Sequence, residues 1–279
     1  MMANEAQTTR RNDSGGLVVD KFIRPAFAEF LGTAFLVFLL CLSGPIYLYN
    51  GKLGENIFSA LVYGFGYVFL IYAFGEISGG YFNPAITFAL TWNRVLPVPV
   101  AVCFSIAQIA GGLLGGALAL AAVPTNKYRR IIGGAIVLLN KTKPGWAILI
   151  EGILTFIVTL TVFITALDKK RRKLSPLAIG FSVIACAMSG AEYTGGCMNP
   201  ARSLGPAVSY SRYLDFNVWE YHHVYWMGPY AGALMAAIIY SKIFAKRRTP
   251  DYLTFTHSEG HSTPSNNIPI QCVTLNTQL

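Results

Sequence analysis

The sequence predicts an all-α membrane protein with six transmembrane helices and two re-entrant half-helices, arranged as an inverted repeat. Three observations predict it. Only 13% of the 279 residues are charged while 53% are hydrophobic, against about 25% charged in a soluble domain. The hydrophobicity falls into six long blocks. A ten-residue motif occurs twice, with its asparagines 116 residues apart.

The six blocks are Pro25–Tyr49, Ile57–Phe74, Val98–Val123, Trp146–Leu167, Ser175–Gly190 and Val224–Ala245. A bilayer core about 30 Å thick is crossed by ~20 apolar helical residues. Five blocks meet or nearly meet that length, and the shorter Ser175–Gly190 block carries no charge. A soluble core of this chain length could not bury all six. The chain therefore divides into an N-terminal segment (1–23), a membrane domain (24–248) with halves 24–123 and 144–248, and a disordered tail (249–279) rich in Ser, Thr and Asn.

With an even number of spans both termini share a side. Fourteen Lys and Arg fall on that side, five of them in the run Lys169–Lys173, and eight fall on the other. The bias places both termini in the cytoplasm, although the third connection, with Lys127, Arg129, Arg130, Lys141 and Lys143, argues against it. The same flanking residues account for the +9 net charge. They form no patch interleaved with aromatics, so nucleic acid is not an expected partner. The polar stretch Met1 to Asp20 predicts no cleavable signal peptide. Asn140, in Asn140-Lys141-Thr142, is a candidate glycosylation site on an external loop. The five cysteines (Cys41, Cys103, Cys186, Cys197, Cys272) include no CxxC pair, so neither a metal site nor any cofactor is expected.

The repeat carries the chemistry. Glu76-Ile-Ser-Gly-Gly-Tyr-Phe-Asn-Pro-Ala85 recurs as Glu192-Tyr-Thr-Gly-Gly-Cys-Met-Asn-Pro-Ala201, each after the second span of a three-span half. Three spans per half oblige the second half to enter the membrane from the opposite face, so equivalent segments meet near the midplane. The apolar stretches after the motifs, Ile86–Trp92 and Arg202–Tyr210, are too short to span. Asn83 and Asn199 are favoured helix N-caps. Pro84 and Pro200 suit the first turn, with Ala85 and Ala201 following them. The Gly79-Gly80 and Gly195-Gly196 pairs permit irregular backbone, tolerated at membrane depth only where it is packed on protein or lines a wet cavity.

Two half-helices with opposed N-termini bring two positive dipole ends together. The asparagine amides add N–H donors. Such a junction would bind the oxygen of a passing water or alcohol and repel cations. Glu29-x-x-x-Thr33 recurs as Glu151-x-x-x-Thr155. A charge within a span costs ~2.5–3.5 kcal/mol or more, so both glutamates are expected to support the backbone of their half's re-entrant loop. No Ser/His/Asp set, metal cluster or phosphate loop accompanies them, so no enzyme activity is expected.

These residues resemble the aquaporins, or major intrinsic proteins, over about Arg24–Arg248. The resemblance rests on the paired Asn-Pro-Ala boxes, on Ala-Glu-Phe-x-Gly-Thr at Ala28–Thr33, and on Asn199-Pro-Ala-Arg-Ser203. It implies a homotetramer with one pore per protomer, in the lipid bilayer of the plasma membrane, with passive flux. It also implies a selectivity filter of Tyr63, Ala187, Gly196 and Arg202. Arg202 would donate to permeant oxygens and repel cations, Tyr63 would form an aromatic wall, and Gly196 would offer a carbonyl. Ala187 stands where water-selective members carry His, a change that widens the filter toward glycerol and urea alongside water. Ser203 and Tyr225-Trp226 resemble water-type members, and the combination looks like the insect entomoglyceroporin branch. Tyr81 departs from the His of many members. Cys197 neighbours the filter as a candidate mercurial site.

The expected function is thus a passive channel for water, glycerol and urea that excludes protons and ions. A strictly water-selective channel is the alternative. An ion-coupled transporter would need free midplane carboxylates, and an adhesion protein without conduction would leave the Asn83, Asn199 and Arg202 set unexplained.

Overall fold

The computed structural model describes residues 18–44, 53–138, 142–213 and 217–245, with side chains described from 57 onward in the second stretch. Asn140, the 249–279 tail and positions 1–17 lie outside the described residues. The described residues all belong to one compact unit; positions 246–248 also lie outside the described residues.

The described residues are helical and contain no strand. Six helices correspond to the apolar blocks: α1 (Arg24–Ser43), α2 (Leu53–Ser78), α4 (Val98–Ala122), α6 (Pro144–Ala166), α7 (Ser175–Gly190) and α9 (Val224–Ile239). Two short helices follow the motifs, α3 (Pro84–Trp92) and α8 (Pro200–Tyr210). Among the described residues, five helical stretches are long and apolar enough to cross a membrane: Val19–Ser43, Ile57–Ser78, Val98–Ala122, Pro144–Ala166 and Arg172–Gly190. The sixth, α9, is broken by a π-helical turn over Tyr240–Phe244, which continues it toward Ala245. The first helix starts earlier than its sequence predicts, because a π-helical turn over Val19–Ile23 runs into α1.

The helices are apolar outside and polar inside. On α6, Leu149, Ile153 and Ile157 recur every fourth residue and are 50%, 50% and 42% exposed, whereas Glu151, Thr155 and Thr159 on the other face are fully buried. A chain surrounded by water would reverse that pattern; one surrounded by hydrocarbon would not.

The halves interlock. Helix α1 packs on α4 and α6 packs on α9, matching pairs within the two halves, while α2 meets α7 across them. Each half-helix lies against the last span of the opposite half: α3 on α9, and α8 on α4. Glycine makes the closest approaches possible. A Cβ on Gly111 would collide with the Phe30 carbonyl of α1, and one on Gly112 with the Ala201 carbonyl of α8.

The third connection is more than a surface loop. It forms α5 (Thr125–Arg130) and a 3₁₀ turn at Ile132–Gly134. Residues 131–137 are all buried. Gly133 and Gly134 hold positive φ (59° and 76°), and a Cβ on Gly134 would lie 2.5 Å from Cys41 Cα.

Candidate functional site

The site is the meeting point of α3 and α8. Asn83 (φ −151°, ψ 116°) and Asn199 (φ −150°, ψ 113°) are N-caps in extended backbone. Asn83 Oδ1 accepts from Ala85 N at 2.9 Å, and Asn199 Oδ1 accepts from Ala201 N at 3.0 Å and Arg202 N at 3.3 Å. Pro84 and Pro200 occupy the first helical turn, where a missing N–H costs nothing. Each asparagine Nδ2 then crosses to the other loop. Asn83 donates to the Met198 carbonyl at 2.8 Å and Asn199 to the Phe82 carbonyl at 2.8 Å. The two helix starts are therefore stitched together, with both asparagines buried.

The loops before them are held by the two glutamates in matching ways. Glu29 accepts from Ser78 Oγ (2.6 Å), Tyr81 N (3.0 Å) and Phe82 N (2.7 Å). Glu151 accepts from Thr194 Oγ1 (2.7 Å), Cys197 N (2.9 Å) and Met198 N (2.7 Å). The partners sit at equivalent motif positions, so the duplication extends from sequence to hydrogen bonds. Thr33 and Thr155 donate to the carbonyls of Glu29 and Glu151, each at 2.7 Å. The backbone at the motif is strained: Phe82 and Met198 hold φ of 48° and 57°, beside Gly79, Gly80, Gly195 and Gly196, also at positive φ. A non-glycine residue there costs ~1–3 kcal/mol. The glutamate oxygens offset it by gathering N–H groups that have no other acceptor at membrane depth.

The family described as Major intrinsic protein matches the chain over residues 17–240. The chain belongs to that family.

Aquaporin-5 of Ovis aries is 37% identical over 240 residues, covering 85% of this chain and 83% of its own. Aquaporin-8 of Mus musculus is 32% identical over 232 residues, covering 82% of this chain and 85% of its own. In fold, the chain is similar to the X-ray structure of the aquaglyceroporin from Plasmodium falciparum, with a TM-score of 0.68 at 23% identity, covering 79% of this chain and 96% of that one. This major intrinsic protein is accordingly a multi-pass membrane channel for water or small solutes, and not an enzyme.

The four positions that the resemblance assigns to a filter lie around the second motif. Arg202 is only 3% exposed. It donates from a guanidinium nitrogen to the Gly134 carbonyl at 2.9 Å, and among the described residues it has no ion-pair partner. Tyr63 is buried and donates its hydroxyl to the Cys197 carbonyl at 2.6 Å. Gly196 packs on Ala187: a Cβ there would lie 2.9 Å from Ala187 Cα, so only glycine fits. Cys197 is fully buried among Ile136, Ala147, Val224 and Tyr225, and its thiol donates to the Asn199 carbonyl at 3.2 Å.

Three contributors went unrecognised in the sequence, and a fourth, Tyr225, was singled out there only as part of an aromatic pair. Gln108 of α4 donates Nε2 to Glu29 (2.8 Å) and to Thr87 (2.8 Å); a lone amide inside an apolar run was the available signal. Gly134 holds Arg202, and its signal was the Gly133-Gly134 pair. Tyr225 donates its hydroxyl to the Thr194 carbonyl at 3.0 Å, bracing the second loop. Tyr67, one turn after Tyr63, receives an N–H from Asn199 at 3.3 Å.

Proposed function

We propose that the chain is a passive channel that admits water and small neutral solutes, glycerol and urea among them, and excludes protons and ions. The observation that carries the reading is the stitched pair Asn83 and Asn199, which fixes two helix N-termini head to head. A hydroxyl oxygen arriving there can exchange with the Tyr67 hydroxyl on the Asn199 N–H, while a cation meets two positive dipole ends and a buried Arg202 guanidinium that has no ion-pair partner among the described residues. The preference for larger solutes rests on Ala187, which places a methyl group where an imidazole would narrow the lane and add a donor.

An ion-coupled mechanism finds no support at Glu29 and Glu151. Each carboxylate already accepts hydrogen bonds on both oxygens from its own loop, so neither offers vacant ligands to a coupling ion. Strict water selectivity is favoured by one observation, the buried hydroxyl of Tyr67 against Asn199.

The protein would sit in the plasma membrane as a homotetramer, as the family resemblance implies, and its termini would lie in the cytoplasm, an orientation supported by the distribution of Lys and Arg. Cys197 adjoins Gly196 in the chain, and a mercurial that reached its buried thiol would block the lane.

Proteoliposomes test the reading. The wild type swells in isosmotic glycerol and shrinks rapidly under an impermeant osmolyte. The Ala187→His variant loses glycerol flux far more than water flux. A wild type that passes water alone contradicts the wide filter.

A further inference from the structure

The asparagine junction contains a further polar group, the Tyr67 hydroxyl, that the family filter does not include. Tyr63 and Tyr67 stand one turn apart on α2, with ring centroids 5.7 Å apart. Their hydroxyls reach different levels of the second loop. Tyr63 donates to Cys197 O, toward the filter. Tyr67 lies at Asn199, where it accepts from Nδ2 at 3.3 Å and also interacts with the Asn83 side chain. Its ring packs on Phe82, centroids 6.4 Å apart, and the residue is only 2% exposed.

An asparagine amide has two N–H groups. Asn199 directs one at the Phe82 carbonyl and the other at the Tyr67 hydroxyl. The phenol oxygen therefore occupies the acceptor position that a permeant oxygen needs. Among the described residues, the Tyr67 O–H has no acceptor of its own, so it is also free to donate to an arriving oxygen. A passing oxygen must exchange with this hydroxyl, and a solute must fit beside the ring.

We propose that Tyr67 is a specificity-determining residue of the channel, a second filter at the asparagine junction that sets the ratio of polyol to water flux. This rests on the channel reading above. Water, small and able both to donate and to accept, exchanges with the hydroxyl readily. A polyol must clear the ring as well, so Tyr67 limits it more. The wide filter left by Ala187 then does not by itself decide what passes.

The test is paired water and glycerol flux in proteoliposomes carrying wild type, Tyr67→Phe and Tyr67→Leu, normalised to the amount of folded protein. Tyr67→Phe keeps the ring packing and removes only the hydroxyl, so it remains informative if Tyr67→Leu folds poorly. The expected result is a glycerol-to-water ratio raised about fivefold in Tyr67→Phe, the weight of one neutral hydrogen bond, and raised further in Tyr67→Leu. If the wild type passes water alone, the appearance of glycerol flux in either variant gives the same answer. A ratio unchanged in both variants overturns the role of Tyr67 while leaving the channel standing. No flux above empty liposomes in the wild type instead overturns the channel reading itself.

Discussion

Asn83 and Asn199 each donate a side-chain N–H to the carbonyl of the residue that precedes the other, both at 2.8 Å. The exchange means that neither half-helix start is positioned independently. Replacing either asparagine by alanine removes an N-cap, which costs about 1 kcal/mol. It also orphans a buried carbonyl, worth ~1–3 kcal/mol. Both single variants should therefore lower the thermal midpoint. Because the two bonds share one junction, the double variant should lose less than the sum of the singles, as a thermal unfolding cycle in detergent would read.

Glu29 and Glu151 should behave as a matched pair. In Glu151→Gln one carboxylate oxygen becomes an NH₂ group facing the backbone N–H donor of either Cys197, which bonds Oε1, or Met198, which bonds Oε2. The expected cost is about 2 kcal/mol, from an unsatisfied buried donor. Glu29→Gln should cost at least as much, because Gln108 loses its partner too. Equal losses of folded protein and of flux in the two variants would support one shared architecture; an unaffected Glu151→Gln would break the symmetry.

Arg202 holds the third connection through the Gly134 carbonyl. Removing its guanidinium in Arg202→Val frees the Gly134 carbonyl and takes away a buried positive charge. The expected outcome is a measurable proton or sodium leak, read by a pH-sensitive dye in liposomes, with water flux retained. Proteolysis should also find the 131–137 stretch more readily in this variant, since its anchor is gone.

His222 predicts an acid-side loss of stability. It precedes α9 and lines a cavity with Val137, Leu138, Asn217, Glu220, Tyr221 and Tyr225. Neither ring nitrogen has a hydrogen-bond partner among the described residues. Burial, with a smaller contribution from neighbouring His223, lowers its pKa from 6.5 to about 4. The unfolded chain takes up a proton near 6.5 and the folded one only near 4, so the stability held by the neutral ring is complete above about 6.5 and declines as pH falls toward 4. Thermal midpoints measured across that window should fall, and fall less steeply in His222→Phe.

Much of this was legible because it occurs twice. The motif, the Asn-Pro helix starts and the glutamate of each half could be read by aligning the chain with itself, and the two hydrogen-bond sets at Glu29 and Glu151 follow the same alignment. What occurs once was hidden. Gln108 and Tyr67 sit within apolar runs whose periodicity marks a span but not which neighbour a side chain meets. The 131–137 stretch has no hydrophobic period at all, and its buried path depends on glycines at positive φ fitting against Cys41. The left-handed backbone of Phe82 and Met198 contradicts local preference and is imposed by the glutamates. The break of α9 at Tyr240 carries no Gly or Pro signal in the sequence.

The stitched half-helices should hold open a lane for uncharged molecules only. Stopped-flow light scattering on proteoliposomes, run beside a proton-sensitive dye under an imposed pH gradient, tests it most directly. The account predicts fast osmotic water flux and glycerol entry with proton leak no greater than in empty liposomes. Proton or sodium flux that rises with protein content, or water flux indistinguishable from bare lipid, would contradict it.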